Sequence, residues 1–594
     1  MGVLRFFGFA LCVLGAGHAW ADGCQLRNYG TLPVEMIDFR PTTMVQINGV
    51  DTRFILDTGA FFNAMSDANA SALKLDTRFA PLGFYITGVG GDSSVRIASV
   101  KDFGIVDTTL HNIQFIVGGS DAGYGLLGAN LLDVVDLEID LAAGKLTLFK
   151  TDHCDKAVLA YWVKAGGEYN VVDLEQASDS RDRRTFVRVT INGKKVRALV
   201  DSGSPATFLG LQAAKRAGID LDAPDVKVMS PTYGVGNRMV KTWLARVDSF
   251  SVGTETIQHS QVLVIDDDFG DGETDMLLGV DFLLAHHMFI ANGLRKAYFT
   301  YNGGRVFSLA AAPHDRDKSD IDLPSDDDGA APKTADEYAL LGQALLSRGE
   351  PNAAVANLNK AIEMAPDQAA FYVARANARV TIKQFDAALA DLDKSLSLEP
   401  KNADALLLRA QIRLWQKDRK GAAADVTAAS ALVPEGSNLA GSIANLYIDL
   451  EQPASALPML DDWIRLHSDD AMLGSILNTR CWARGLSKQM LSDALEDCRM
   501  AISRDGEKPE YLDSLGLVEL RLGHYPESIK AYQQVLTKEA HSPWSLYGLG
   551  VAKIRSGETD AGKADIAAAL VLDPQIEALA IKYGLAAEPS KQEK

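Results

Sequence analysis

Asp57 and Asp201 are the residues whose setting in this chain most clearly suggests chemistry. Asp57 stands in FILDTGAFFNA (54–64), and Asp201 stands 144 residues later in ALVDSGSPATF (198–208). Each ends an apolar run and is followed by a hydroxyl residue and a glycine. Hydrolysis of an amide by water calls for a base that takes a proton from the nucleophile. It also calls for an acid that protonates the carbonyl oxygen and later the amine. Two carboxyls held within hydrogen-bond distance do not both ionise easily, so one keeps a proton while the other stays charged. Such a pair supplies both functions, and neither member suffices alone. The bland alternative is two turn residues at strand ends, where Asp-Thr-Gly and Asp-Ser-Gly are unremarkable.

The surrounding sequence repeats in the same order. Asn48-Gly49 and Asn192-Gly193 precede their aspartates by equal intervals, and Asn-Gly is a favoured two-residue hairpin turn because both residues accept positive φ. Each half therefore reads as strand, tight turn, strand, aspartate. Downstream, Gly88-Val89-Gly90 and Gly234-Val235-Gly236 read as the glycine tips of a second hairpin, with flaps expected near 84–93 and 231–239. Leu126-Leu127-Gly128 and Leu277-Leu278-Gly279 follow, each leading into another β-like run. Short alternating runs rich in Val, Ile, Thr and Gly extend from about 25 to 310.

These motifs resemble the retropepsin-like aspartic proteases. There, two lobes each contribute an Asp-Thr/Ser-Gly loop, a glycine-tipped flap, and an apolar-apolar-Gly motif packed beside that loop. Both halves lie here in one chain, as in pepsin-like enzymes. The resemblance implies an all-β bilobal domain with Asp57 and Asp201 as the catalytic pair. Thr58 and Ser202 match the hydroxyls that brace the loops, with Gly59 and Gly203 at the sharp turns. Gly88, Gly90, Gly234 and Gly236 match the flap tips, and Leu127, Gly128, Leu278 and Gly279 the supporting motifs. The implied activity is an aspartic endopeptidase acting without a cofactor. Tyr85 and Tyr233 are uncertain counterparts of the flap tyrosine of pepsin-like enzymes, and each half is shorter than a pepsin lobe.

Other chemistries find little support. His286 and His287 are adjacent in a β-like run and point to opposite faces, so they do not share a metal. GVGGDS at 88–93 lacks the third glycine and following helix of a dinucleotide site. The acidic loop at 266–275 reads as surface, and no GxSxG or HExxH occurs. A formal charge of -19 without a basic face argues against a nucleic-acid partner.

Length and texture divide the chain. Its 594 residues exceed one core, while 47% hydrophobic and 23% charged residues are ordinary globular values. Residues 1–21 read as a signal peptide ending in Ala19-Trp20-Ala21, too short in its apolar stretch for a membrane span. No anchor is expected in the mature chain, and a periplasmic location is. The expected first lobe covers 22–155 and the second 168–309, followed by an acidic disordered linker at 310–334. From 335 the chain is rich in Ala and Leu, and Pro366, Pro400 and Pro434 close blocks of 34 residues, the period of a tetratricopeptide repeat. Resemblance to that family, through Tyr338, Leu341-Gly342, Ala354 and Ala361, implies a solenoid of about seven repeats over 335–586 and a groove for a protein partner. The competing reading for the whole chain is a catalytically silent, protease-like adaptor.

Without the signal, four cysteines remain, an even count that suits an oxidising compartment. Cys24 and Cys154 bracket the first lobe. Cys481 and Cys498 fall in one repeat where its antiparallel helices meet. Two local disulfides are expected. The linker, with almost no apolar content, predicts few contacts between the β-rich and helical parts.

Overall fold

The computed structural model describes residues 23–303, 306–307 and 332–587, apart from 82–83, 121, 133, 165 and 180–181. The signal peptide expected at 1–21 and most of the expected linker, up to residue 331, lie outside the described residues.

The N-terminal region is all β, and its two halves are built alike. In the first, Arg40–Ile47 and Val50–Leu56 form a hairpin closed by Asn48 and Gly49, whose φ values are 51° and 83°. In the second, Phe186–Ile191 and Lys194–Val200 close through Asn192 and Gly193 at 48° and 76°. Positive φ at both loop residues matches the twist of the paired strands. The asparagines do further work: Asn48 Oδ1 accepts from Asp102 N, and Asn192 Oδ1 from Asp248 N. Each turn is thus tied to the long strand that leads from its flap, Gly91–Ile105 or Val240–Val252.

A six-strand base joins the halves in the order Gln25–Pro33, Lys145–Asp152, Asp136–Asp140, His286–Ala291, Lys296–Tyr301, Asn170–Glu175. Three strands come from each half. The seam pairs Leu137 with Ile290 and Ile139 with Met288, antiparallel. Both seam strands are buried along their whole length, although Asp136, Glu138 and Asp140 alternate with Leu137 and Ile139 in the first. His286 and His287 stand on this sheet and diverge: His286 bonds the Phe282 carbonyl and Glu255, whereas His287 bonds Glu138 and stacks on Trp162. Among the described residues no group of three His, Cys, Asp or Glu is placed to hold a metal ion.

The helical region opens with Ala335–Ser347, capped by Thr334 and Glu337 bonded reciprocally across its first turn. Fourteen helices run as seven consecutive pairs to Thr559–Leu572, and Ile576–Lys582 packs on the last pair. Small residues set the spacing within pairs. A Cβ on Gly342 would meet Leu358, and one on Gly550 would meet the backbone of Gly562. Buried aspartates then lock neighbouring helices: Asp391 takes both Arg375 and Arg379, Asp425 both Arg409 and Arg413, and Asp497 both Arg480 and Arg484. The first two sets are spaced by one repeat, so this recurrence was visible in the sequence.

Cys24 pairs with Cys154 and Cys481 with Cys498. No helix among the described residues is long and apolar enough to cross a membrane.

The expectation of few contacts between the two regions is not met. Ala335–Ser347 packs on Glu35–Ile37 and on the short turn Leu141–Ala143, and Gln343 Nε2 donates to Glu35 Oε1 at 3.1 Å. A second contact forms where the turn at 467–472 meets the flaps. A polar tether limits only contacts made by the tether itself. It leaves the surfaces it connects free to pack, and these two surfaces do.

Candidate active site

Asp57 follows Val50–Leu56, and Asp201 follows Lys194–Val200. Each of these strands runs parallel to the apolar-apolar-Gly strand of its own half, Gly125–Leu127 or Met276–Leu278. Asp57 N donates to Leu127 O at 2.9 Å and Asp201 N to Leu278 O at 3.0 Å, so the motif holds the aspartate at its backbone. The loop then crosses over the glycine that ends the motif. A Cβ on Gly128 would collide with the backbone of Phe62, and one on Gly279 with that of Ala206.

Each aspartate folds its own loop around one oxygen. Asp57 Oδ1 accepts from Gly59 N and Ala60 N at 3.0 and 2.8 Å. Asp201 Oδ1 accepts from Gly203 N and Ser204 N at 2.9 and 3.0 Å. The hydroxyls of the next residues cross between lobes. Thr58 Oγ1 donates to Val200 O and accepts from Ser202 N, while Ser202 Oγ donates to Leu56 O and accepts from Thr58 N. The four distances lie between 2.7 and 3.1 Å, and both side chains are buried.

This brace brings the carboxyls together. A Cβ on Gly59 would overlap the Asp201 carboxyl, and one on Gly203 would overlap that of Asp57. Only glycine at these two positions leaves room for the opposite acid. The two carboxyls, each lying against the opposite loop's glycine, are 9% and 8% exposed. Burial raises both above the usual carboxylate range. Asp201 rises further because the Asp57 charge faces it, whereas the amides of Ala60 and Gly59, the Asp201 hydrogen bond and the charge of Arg40 hold Asp57 back. Two raised carboxyls facing each other favour a pair that holds one proton between them.

The flaps close over this floor. Tyr85–Gly88 pairs with the start of Gly91–Ile105, and Val89 at the tip packs against a cluster of the other half that includes Phe186, Phe208 and Leu277. The second flap differs from the expected hairpin tip. Lys227–Thr232 and Val240–Val252 are joined by a longer loop at 233–239, whose Gly234 N and Gly236 N both donate to Val89 O. A Cβ on Gly236 would collide with the backbone of Gly90, and one on Gly90 with that of Arg238.

Sequence reasoning missed the polar residues that support the floor. Asn63 Oδ1 accepts from Gly128 N, and Asn63 N donates to Asn130. In the other half Thr207 Oγ1 accepts from Gly279 N and donates to Asp281 at 2.6 Å. Asn63 and Thr207 stand six residues after their aspartates, and Asn130 and Asp281 two residues after their glycines. These matched offsets were an available signal. Arg238, Ser120, Asp267 and Asp469, which hold the flaps, had none.

Comparison with known proteins agrees with this division. The family model for aspartyl proteases matches residues 43–131 and 187–282, and that for tetratricopeptide repeats matches 336–368 and 369–402. The chain thus carries a retropepsin-like aspartyl protease domain in its N-terminal region and tetratricopeptide repeats behind it. No curated protein matches. Solved structures that match include a tetratricopeptide repeat protein from Parabacteroides merdae, 16% identical over 42% of this chain and 98% of that chain, with a TM-score of 0.32. YrrB, a TPR protein with an unusual peptide-binding site, is 20% identical over 32% of this chain and 95% of its own, with a TM-score of 0.28. PilF of Pseudomonas aeruginosa is 20% identical over 36% of this chain and 94% of its own, with a TM-score of 0.30.

Proposed function

We propose that this protein is an aspartic endopeptidase in which Asp57 and Asp201 activate one water against a peptide carbonyl. The observation that carries the reading is reciprocal: Gly59 makes room for the Asp201 carboxyl and Gly203 for that of Asp57. A pair of ordinary turns needs neither concession. Water held between the carboxyls gives a proton to the ionised member of the pair as its oxygen attacks, while the protonated member gives its proton to the carbonyl oxygen. Collapse of the tetrahedral diol returns a proton to the leaving amine and regenerates the singly protonated pair. Loss of the shared proton at higher pH removes the acid, and a second proton on the pair at lower pH removes the base, so the rate follows a bell.

The paired cysteines and the sequence of 1–21 support export to an oxidising compartment, the bacterial periplasm. The repeats supply a surface for protein recruitment. The test is cleavage of an unstructured protein by the purified full chain, with and without a peptide-like inhibitor bearing a hydroxyl where the tetrahedral intermediate has one. Asp57→Asn and Asp201→Asn each abolish turnover, with circular dichroism unchanged, and the double variant is hardly worse because the pair acts as a unit. Full activity in a folded single variant overturns the reading in favour of a silent peptide-binding adaptor.

A further inference from the structure

Asp469 lies in the turn between the solenoid helices Pro453–Leu466 and Leu473–Ser487. Far from its own repeat partners in role, it is bonded to both flaps. Its Oδ2 accepts from Ser93 Oγ at 3.0 Å, Ser94 N at 3.2 Å and Ser94 Oγ at 3.4 Å, all on the first flap. Its Oδ1 accepts from Asn237 Nδ2 at 2.8 Å, on the second. Ser93 is 1% exposed, so its hydroxyl depends on this partner rather than on water.

Two neighbouring contacts reinforce the turn. Ala471 N donates to Ser120 Oγ at 2.8 Å, and that hydroxyl in turn donates to Gly236 O at 2.6 Å. Arg504 Nη2 reaches both Asn237 O and Asp470 O at 2.8 Å. The flaps themselves interlock through Val89 O and Gly90 O, which accept from Gly234, Gly236 and Arg238. Opening either flap therefore requires the turn at 467–472 to release it.

We propose that this solenoid turn is a latch and Asp469 a positioning residue that holds both flaps closed over the dyad, so that the repeats govern access of substrate to the cleft. The proposal rests on the protease reading for its consequence in turnover, though not for the latch. A charged acceptor shared by four donors stabilises the closed flaps more than any neutral contact nearby. Movement of one turn then frees two flaps at once, which is how a lid is made responsive to a distant surface.

The test uses the full chain with Asp469→Ala and Asp469→Asn, and Gln343→Ala as control, because Gln343 joins the two regions away from the flaps. Amide hydrogen exchange over 85–95 and 233–239 is expected to quicken at least about tenfold in Asp469→Ala, less in Asp469→Asn, with strands 186–200 unchanged. In Gln343→Ala exchange over the flaps stays as in the parent. With a short unstructured peptide, Asp469→Ala raises kcat/KM several-fold through a lower KM, with kcat little altered. Unchanged flap exchange in Asp469→Ala, an equal rise in Gln343→Ala, or a fall in kcat/KM overturns the latch. Repeating the exchange in Asp57→Asn/Asp469→Ala separates the two readings, since loss of flap protection there stands whether or not the dyad cuts peptides.

Discussion

The two lobes agree wherever the carboxyls must face each other and differ one residue further out. Around Asp57 and Asp201 the amide pairs, the crossing hydroxyls and the facing glycines match bond for bond. Beneath them, the first lobe supports its Leu-Leu-Gly strand with two amides, Asn63 and Asn130. The second uses Thr207 and a carboxyl, Asp281, which is 1% exposed and pushed up to about 6 by burial. Above them, the first flap is a tight hairpin and the second a long loop wrapped over its tip. A shared proton needs near-equivalent floors, so duplication was held to symmetry there. Support and cover have no such requirement, and they diverged.

Breaking the symmetric part should therefore cost the same from either side. Gly59→Ala and Gly203→Ala each drive a methyl into the opposite carboxyl. Turnover is expected to fall at least about 10²-fold in both, since displacements near 1 Å are enough for that. Steady-state kinetics that found one variant active and the other dead would show that the lobes are not equivalent at the floor.

Smaller and again paired are the effects of Thr58→Ala and Ser202→Ala. Each removes one donated bond and strands one buried amide in the opposite loop, at a cost of about 2–4 kcal/mol by analogy with other buried hydrogen bonds. Urea unfolding is the measurement. A brace shared by the lobes predicts similar losses, and a double variant much less damaged than their sum.

The asymmetric part predicts a difference instead. Because Asp281 is raised above its unfolded value, the folded chain binds its proton more tightly than the unfolded chain does. Its contribution to stability is complete below about pH 4 and is lost as pH rises through about 6, by on the order of 3 kcal/mol at most. Asp281→Asn stays neutral and keeps the acceptor for Thr207, so its stability relative to the parent should improve between pH 4.5 and 7. Identical pH profiles for parent and Asp281→Asn would mean that the two supports are electrostatically alike after all.

Much of the site was legible because it is written locally. Asn48-Gly49 encodes its turn through φ alone, and Asp57 organises Gly59 and Ala60 within three residues. Duplication then supplied an internal control, since the same letters recur 144 residues on. Repeat helices were readable for the same reason: a 34-residue period repeats one local packing problem. The six-strand base was not anticipated. Its seam pairs Leu137 with Ile290, and the pattern within a strand such as DLEID at 136–140 does not reveal which partner lies beside it.

Residue pattern by itself determined the hairpins, the paired Asp-Thr/Ser-Gly loops and the helical period, because each depends on φ preferences and spacing within a few residues. Only tertiary structure decided that Gly59 faces Asp201, that Asp281 is a buried acid, and that Asp469 holds both flaps. Ser93 and Asp469 are 376 residues apart, and nothing in a turn's own sequence distinguishes a carboxylate solvated by water from one that meets another domain. That choice is made by the packed surface around it, which brings the donors of both flaps to the carboxylate.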